Sequence, residues 1–295
     1  MITRGAHVVG ASAITEAQEY FVPPPARWPI VGALAFLLMA FGAVGWINGA
    51  GTGPYVLIAG VVILARVMVG WFSDVIGEGR HGLYDDQVER SFRTGMAWFI
   101  GSEVVVFGVL FAALFYFRII SIPGLASGET HALLWPEFKA GWPSVGPGID
   151  MPLTAMQASG VPTINTLILL TSGIMITLAH HALNRGRRRL LAAFVLATIV
   201  LGMVFLKNQA VEYHHAYTAL HVTLATGVYG ATFFVLTGLH GVHVAIGTAF
   251  LIVMLERIIR GDFSAKHHLG FLAATWYWHF VGVVWLILFV LVYWL

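Results

Sequence analysis

Cysteine is absent from all 295 residues. That excludes disulfides, iron–sulfur clusters, thiolate copper sites and any cysteine nucleophile. Charge is scarce as well: Asp, Glu, Lys and Arg make up 10% of the chain, against roughly 25% in soluble domains. A chain so poor in charge cannot cover a water-facing surface. Its net charge of +2 is too small to point to nucleic acid as a partner. Internal repeats and low-complexity tracts are also missing. What is present is apolar: hydrophobic residues are 58% of the chain and the mean hydropathy is +0.82. Lipid is therefore the main solvent, and the fold class is all-α, a polytopic membrane protein.

Seven apolar runs, at about 28–48, 54–75, 91–118, 163–184, 190–208, 227–258 and 270–295, come near or exceed the roughly 20 residues a span requires. Residues 1–27 carry Glu16, Glu19 and Pro23-Pro24-Pro25 with no apolar core before them, and read as a polar tail rather than a signal peptide. Residues 119–162, rich in Pro, Gly and Trp, predict an irregular surface loop. The chain thus divides into a tail (1–27), two helices (28–90) and five helices (91–295).

Numbering the loops alternately gives an orientation. One side collects twelve Lys and Arg residues, among them Arg27, Arg80, Arg185 and Arg257. The other collects Arg118, Lys139 and Lys207, and Arg66 lies within the second span. The positive-inside rule then predicts a cytoplasmic N-terminus and, with seven spans, a C-terminus outside.

Glu103 is the one carboxylate read as lying well inside an apolar run. Two readings stand: a protonated acid hydrogen-bonded to a neighbouring helix, or a functional proton-exchanging or lipid-facing acid. At 1.5 Å per residue Glu103 lies roughly 18 Å along the third span and His243 roughly 22 Å along the sixth from the same side, so the two share a depth. His240 and His243, at i and i+3, share a helix face, and His279 is the third deep histidine. All three are possible polar partners for the acid. Of the 13 histidines, the adjacent pairs His180-His181 and His267-His268 point about 100° apart on a helix and suit one metal poorly. No metal is expected. Hydrogen bonding between helices and to lipid headgroups is the reading for them.

Several segments occur in one order along residues 28–295. They are Trp71-Phe-Ser-Asp74-Val-Ile-Gly-Glu78, Ser102-Glu103-Val, Asn165-Thr-Leu-Ile-Leu-Leu-Thr-Ser-Gly173, Ala179-His-His-Ala182, Gln209-Ala-Val-Glu212-Tyr, Tyr229-Gly-Ala-Thr-Phe-Phe, Thr237-Gly-Leu-His240-Gly-Val-His243-Val-Ala-Ile-Gly247-Thr and Trp276-Tyr-Trp-His279-Phe-Val. Together they resemble subunit III of the haem–copper cytochrome c oxidases. The related quinol-oxidase subunit typically lacks the first two spans, so their presence here favours the cytochrome c type. At Gly282 the family commonly has an acid, and any role of that acid is absent here.

The resemblance implies an accessory subunit of a proton-pumping oxidase, with no redox centre and no catalytic residue of its own. Haem a and copper then belong to partner subunits I and II, with cytochrome c as electron donor to the complex. It implies two lobes, helices 1–2 and helices 3–7, with a phospholipid-filled cleft, in the inner membrane of a bacterium with the C-terminus periplasmic. It also implies support for proton uptake and for the working lifetime of the enzyme. Candidate lipid-headgroup ligands are Trp71, Glu78, His81, Arg93 and Arg257, since Arg offers a planar fork to phosphate and Trp suits headgroup depth. The alternative is a stand-alone transporter or b-type cytochrome using Glu103 and the deep histidines.

Overall fold

The computed structural model describes residues 25–148, 153–264 and 268–295. Most of the expected N-terminal tail, four residues of the 119–162 loop, and Lys266 and His267 lie outside them. Every regular element among the described residues is helical: α1 (Trp28–Ile47), α2 (Gly53–Arg80), α3 (Asp86–Phe115), α4 (Ile122–Leu125), α5 (Gly128–Leu134), α6 (Val161–Asn184), α7 (Arg188–Thr218), α8 (Gly227–Arg260) and α9 (Leu269–Leu288). π-helical turns follow α3 (Tyr116–Ser121) and α9 (Phe289–Trp294). Seven helical segments are long and apolar enough to cross a membrane, with α3 continuing to Leu125 and α9 to Trp294. The chain separates into two compact units, one ending at Phe92 and one spanning Arg93–Leu295.

In the first unit α1 and α2 form a hairpin closed by a turn in which Ala50 N–H donates to Gly45 O at 2.8 Å. The helices meet backbone to backbone. A Cβ at Gly42 would sit 2.2 Å from the Leu57 amide nitrogen, so only glycine fits there. Trp28 locks the open end of the hairpin: its indole N–H donates to Asp74 Oδ2 at 2.7 Å while its ring lies against Gly70. Phe36, Leu37, Phe41, Val62 and Phe72 stay exposed on the outside, as expected where the surrounding medium is lipid.

α3 starts five residues before the expected boundary because Asp85 caps it. The Asp85 carboxylate accepts the Val88 N–H at 2.7 Å, and Asp86 and Glu89 lie in the first turn, where negative charge suits the helix dipole.

In the second unit α6, α7, α8 and α9 pack in a closed ring, each against the next and α9 back onto α6. Two tryptophans of α9 fill its centre. Trp278 and Trp285 are 2% and 0% exposed, and each indole N–H finds a hydroxyl on α6, Ser172 and Thr166, at 3.0 Å. Trp278 sits in a slot between Gly202 of α7 and Gly247 of α8, where added Cβ atoms would approach its ring to 2.7 and 3.1 Å. α3 joins through side chains, Phe99 stacking on Tyr277 and Phe107 meeting Phe280 edge to face.

The described residues of 119–162 hold more regular structure than the irregular loop predicted. They contain α4 and α5 and fasten onto the start of α8: Tyr229 N–H donates to Ser144 O at 3.1 Å, and the Tyr229 hydroxyl accepts the Met156 N–H at 2.8 Å. Val145 packs so tightly on Gly227 that a Cβ there would fall 1.9 Å from its carbonyl oxygen. The Pro and Gly content read as irregularity instead serves turns and close approaches.

Candidate functional site

Glu103 on α3 and His243 on α8, set at one depth by residue spacing, meet: Glu103 Oε2 lies 2.9 Å from His243 Nε2. Their side chains are 20% and 10% exposed. The other imidazole nitrogen, Nδ1, is 2.7 Å from Leu239 O. A carbonyl only accepts, so Nδ1 carries a hydrogen and donates. Nε2 then either accepts from a protonated Glu103 or, as part of an imidazolium, donates to a carboxylate. With no proton in the contact, two acceptors would face each other. The geometry therefore holds one proton between the two groups. Phe107 meets the imidazole edge to face at 5.1 Å and Tyr277 stacks on its other side at 6.4 Å. These rings lower the local polarity and strengthen the contact.

The other deep histidines do not join this pair, although the sequence offered them as partners. His240 turns to α9, where Nε2 donates to Val281 O at 3.1 Å, and its ring lies between Phe205 and Trp285. Three residues span 300° of helix rotation, and that 60° offset is enough to send His240 and His243 to different neighbours. His279 faces α6, with Nε2 3.3 Å from Thr177 Oγ1.

A second buried carboxylate corrects the reading of Glu103 as the main one. α7 runs ten residues past the expected end near 208, and Glu212 on that extension is 3% exposed. Its Oε2 accepts from Gln209 Nε2 at 3.0 Å and from the Tyr293 hydroxyl at 3.1 Å. Its Oε1 and the Gln209 Oε1 have no partner among the described residues. Beside this cluster Asn208 Nδ2 donates to Asn165 Oδ1 at 3.0 Å, and the Tyr213 hydroxyl pairs with Thr237 Oγ1 at 2.7 Å. The signal was in the sequence. Gln209, Glu212 and Ala216 follow a helical period and are all buried, but Lys207, His214 and His215 around them read as the end of a span.

The proposed headgroup ligands fall into two sets. Trp71, Glu78 and His81 belong to the first unit. Trp71 is 43% exposed; Glu78 Oε2 accepts the Tyr84 hydroxyl at 2.7 Å; His81 Nδ1 donates to Gly77 O at 2.7 Å. Burial, and then the Glu78 carboxylate, hold the Tyr84 phenol well above its ordinary range. Arg93 and Arg257 belong to the second unit. Arg257 Nε donates to Asp262 Oδ2 at 3.2 Å, and the guanidinium lies over Phe263 at 4.4 Å. Asp262 thus already neutralises much of its charge. At Gly282 an added Cβ would meet nothing within 4 Å.

The model of the family described as Cytochrome c oxidase subunit III matches residues 18–295. Proteins named Cytochrome c oxidase subunit 3 from Danio rerio and Squalus acanthias are 39% and 40% identical to this chain over 280 residues, covering 95% of it and 98% of each relative. The Latimeria chalumnae protein of that name is 39% identical over 283 residues, with the same coverage.

Proposed function

The chain belongs to the cytochrome c oxidase subunit III family, and on that premise we propose that it is the accessory, redox-centre-free subunit of a proton-pumping oxidase in a bacterial inner membrane. Its partners are subunits I and II, which carry haem a and copper, and cytochrome c is the electron donor to the complex. It takes no nucleic acid. Phospholipids bind near Trp71, Glu78, His81, Arg93 and Arg257. The strong Lys and Arg bias between alternate loops supports a cytoplasmic N-terminus and a periplasmic C-terminus.

The observation that carries the functional reading is the Glu103–His243 contact. A carboxyl and an imidazole in hydrogen-bond contact at membrane depth are groups through which a proton can pass. That suits a group that buffers proton delivery to a neighbouring pump. The same contact argues against the b-type cytochrome reading. Both nitrogens of His243 are engaged, so it presents no free nitrogen for axial haem ligation; His240 gives Nε2 to a backbone carbonyl and its Nδ1 is buried without a partner among the described residues, its ring packed against Phe205 and Trp285.

Purification through a tag on this chain in mild detergent tests the proposal. Other oxidase polypeptides and a haem spectrum are expected to accompany it. A monodisperse chain alone, whether colourless or carrying its own haem, would overturn the reading.

A further inference from the structure

Three buried polar atoms, near the start of α6 and the end of α7, have no hydrogen-bond partner among the described residues: Asn165 Nδ2, Gln209 Oε1 and Glu212 Oε1. Their residues are 0%, 5% and 3% exposed. A circuit of contacts closes around them. Gln209 Nε2 donates to Glu212 Oε2 at 3.0 Å. Asn208, the residue before Gln209, donates to Asn165 Oδ1. Thr166, the residue after Asn165, accepts the Trp285 indole N–H. The Trp285 ring lies 6.0 Å from that of Tyr293, and the Tyr293 hydroxyl returns to Glu212 Oε2 at 3.1 Å. The start of α6, the end of α7 and the end of the chain thus bring the three atoms together. His240 Nδ1 also lacks a partner, but its ring packs on Phe205, about 10 Å along α7 from Glu212.

An unpaired buried polar atom is costly, and the chemistry of these three selects what satisfies them. Two acceptors need hydrogens, and one donor needs a lone pair. Water offers two hydrogens and two lone pairs, and a buried water typically makes about three hydrogen bonds. A metal cation would take the two oxygens but would leave the Asn165 N–H unpaired and facing positive charge. Water also serves Glu212 in either protonation state. It donates to Oε1 of a carboxylate, or accepts from Oε1 of a carboxylic acid while still donating to Gln209. We propose that Asn165, Gln209 and Glu212 form an internal water site, in which one ordered water donates to Gln209 Oε1, pairs with Glu212 Oε1 and accepts from Asn165 Nδ2. The water ties α6 to α7 and gives the buried acid a proton partner that neither helix supplies. The site is built from this chain alone and is independent of the accessory-subunit role.

The test reads density at these atoms in an experimental structure of the wild-type chain, within the assembly that purifies with it, at a resolution that shows ordered water. One peak is expected at about 2.7–3.2 Å from each of the three atoms. Thermal melting of the same preparation gives a second reading. The melting temperature is expected to be the same in sodium, potassium, calcium and choline buffers. Asn165→Asp keeps the acceptor for Asn208 and turns the N–H into a second acceptor. Three acceptors then compete for the two hydrogens of one water, so the variant is expected to melt a few degrees lower in every buffer. A cation site would instead be strengthened by the added carboxylate. The water site is overturned by a map that shows other buried waters but none here, or by a peak with oxygen contacts at about 2.3–2.6 Å. A melting temperature that rises with one of the metal ions, in wild type or in Asn165→Asp, overturns it as well.

Discussion

Replacing Glu103 in two ways separates a hydrogen bond from a proton. In Glu103→Gln the amide N–H can donate to His243 Nε2 across the same 2.9 Å, with Nδ1 still bonded to Leu239 O. Every polar atom of the imidazole keeps a partner, so the stability cost is that of exchanging one hydrogen bond for another, below about 1 kcal/mol. In Glu103→Leu, Nε2 faces hydrocarbon in a setting where His243 is 10% exposed, and an orphaned buried polar group costs about 1–3 kcal/mol. Neither variant keeps a carboxyl to share a proton with His243. Thermal unfolding and retention of the chain in the purified complex should therefore rank wild type ≈ Gln > Leu. Proton uptake and turnover sustained over many cycles should instead fall equally in both. Initial turnover should stay near wild type, because no redox centre is touched. If Glu103→Gln abolishes initial turnover in a normally assembled complex, the accessory role is wrong. If it leaves uptake, sustained turnover and lipid content unchanged, Glu103 is only a packed polar group.

Three further outcomes follow from the packing. Gly247→Ala should destabilise the chain by about 1–3 kcal/mol, because Trp278 is held against Gly202 on its far side and cannot yield. Gly241→Ala on the same helix meets open space and should be neutral or stabilising by about 0.5–1 kcal/mol, the two being compared by thermal melting. Glu212→Leu should cost more than Glu212→Gln, by about 1–3 kcal/mol, since it strands both Gln209 Nε2 and the Tyr293 hydroxyl; equal melting points would place no weight on that acceptor. Tyr84 should ionise only well above the ordinary phenol range. Its raised value stabilises the folded form below the unfolded phenol's pKa, and that contribution is lost as pH climbs through the folded one. Alkaline difference spectra of wild type against Tyr84→Phe should show no gain of phenolate absorbance near pH 10, and a gain there would refute the raised value.

The spans were legible because hydropathy integrates over some twenty residues and tolerates local noise. Their ends were not. α3 began earlier than its apolar run because Asp85 caps it, a local bond that hydropathy does not register. α7 ended later because its last three turns bury Gln209 and Glu212 with Ala216 rather than an apolar run, and a scale that scores Glu212 as water-loving cannot see Tyr293 and Gln209 waiting for it. Depth along two antiparallel helices located Glu103 opposite His243, since rise per residue is fixed. Rotation about each axis decides which of His240, His243 and His279 turns toward the acid. It depends on packing contacts such as Trp278 between Gly202 and Gly247, which no single helix encodes.

Polar side chains in this bundle divide by what can satisfy them. Thr177, Thr198, Thr237, Thr248 and Thr275 return their hydroxyls to the carbonyl four residues back at 2.6–2.9 Å. Such a residue is satisfied on an isolated helix and says little about its neighbours. A carboxylate has no donor of that kind on its own helix backbone, where the N–H groups are already used. Glu103 must look to α8, and Glu212 draws on Tyr293 beyond α9 as well as on Gln209. Imidazoles are intermediate: His243 spends one nitrogen on its own helix and keeps the other for Glu103. The two acids therefore add polar constraints on helix rotation to those of the packing, one between α3 and α8, the other between α7 and the end of the chain. On this argument a double substitution such as Glu103→Leu with His243→Leu should restore most of the stability lost in Glu103→Leu while lowering the uniqueness of helix packing, because the orphaned nitrogen is gone and with it the one polar contact named here between α3 and α8.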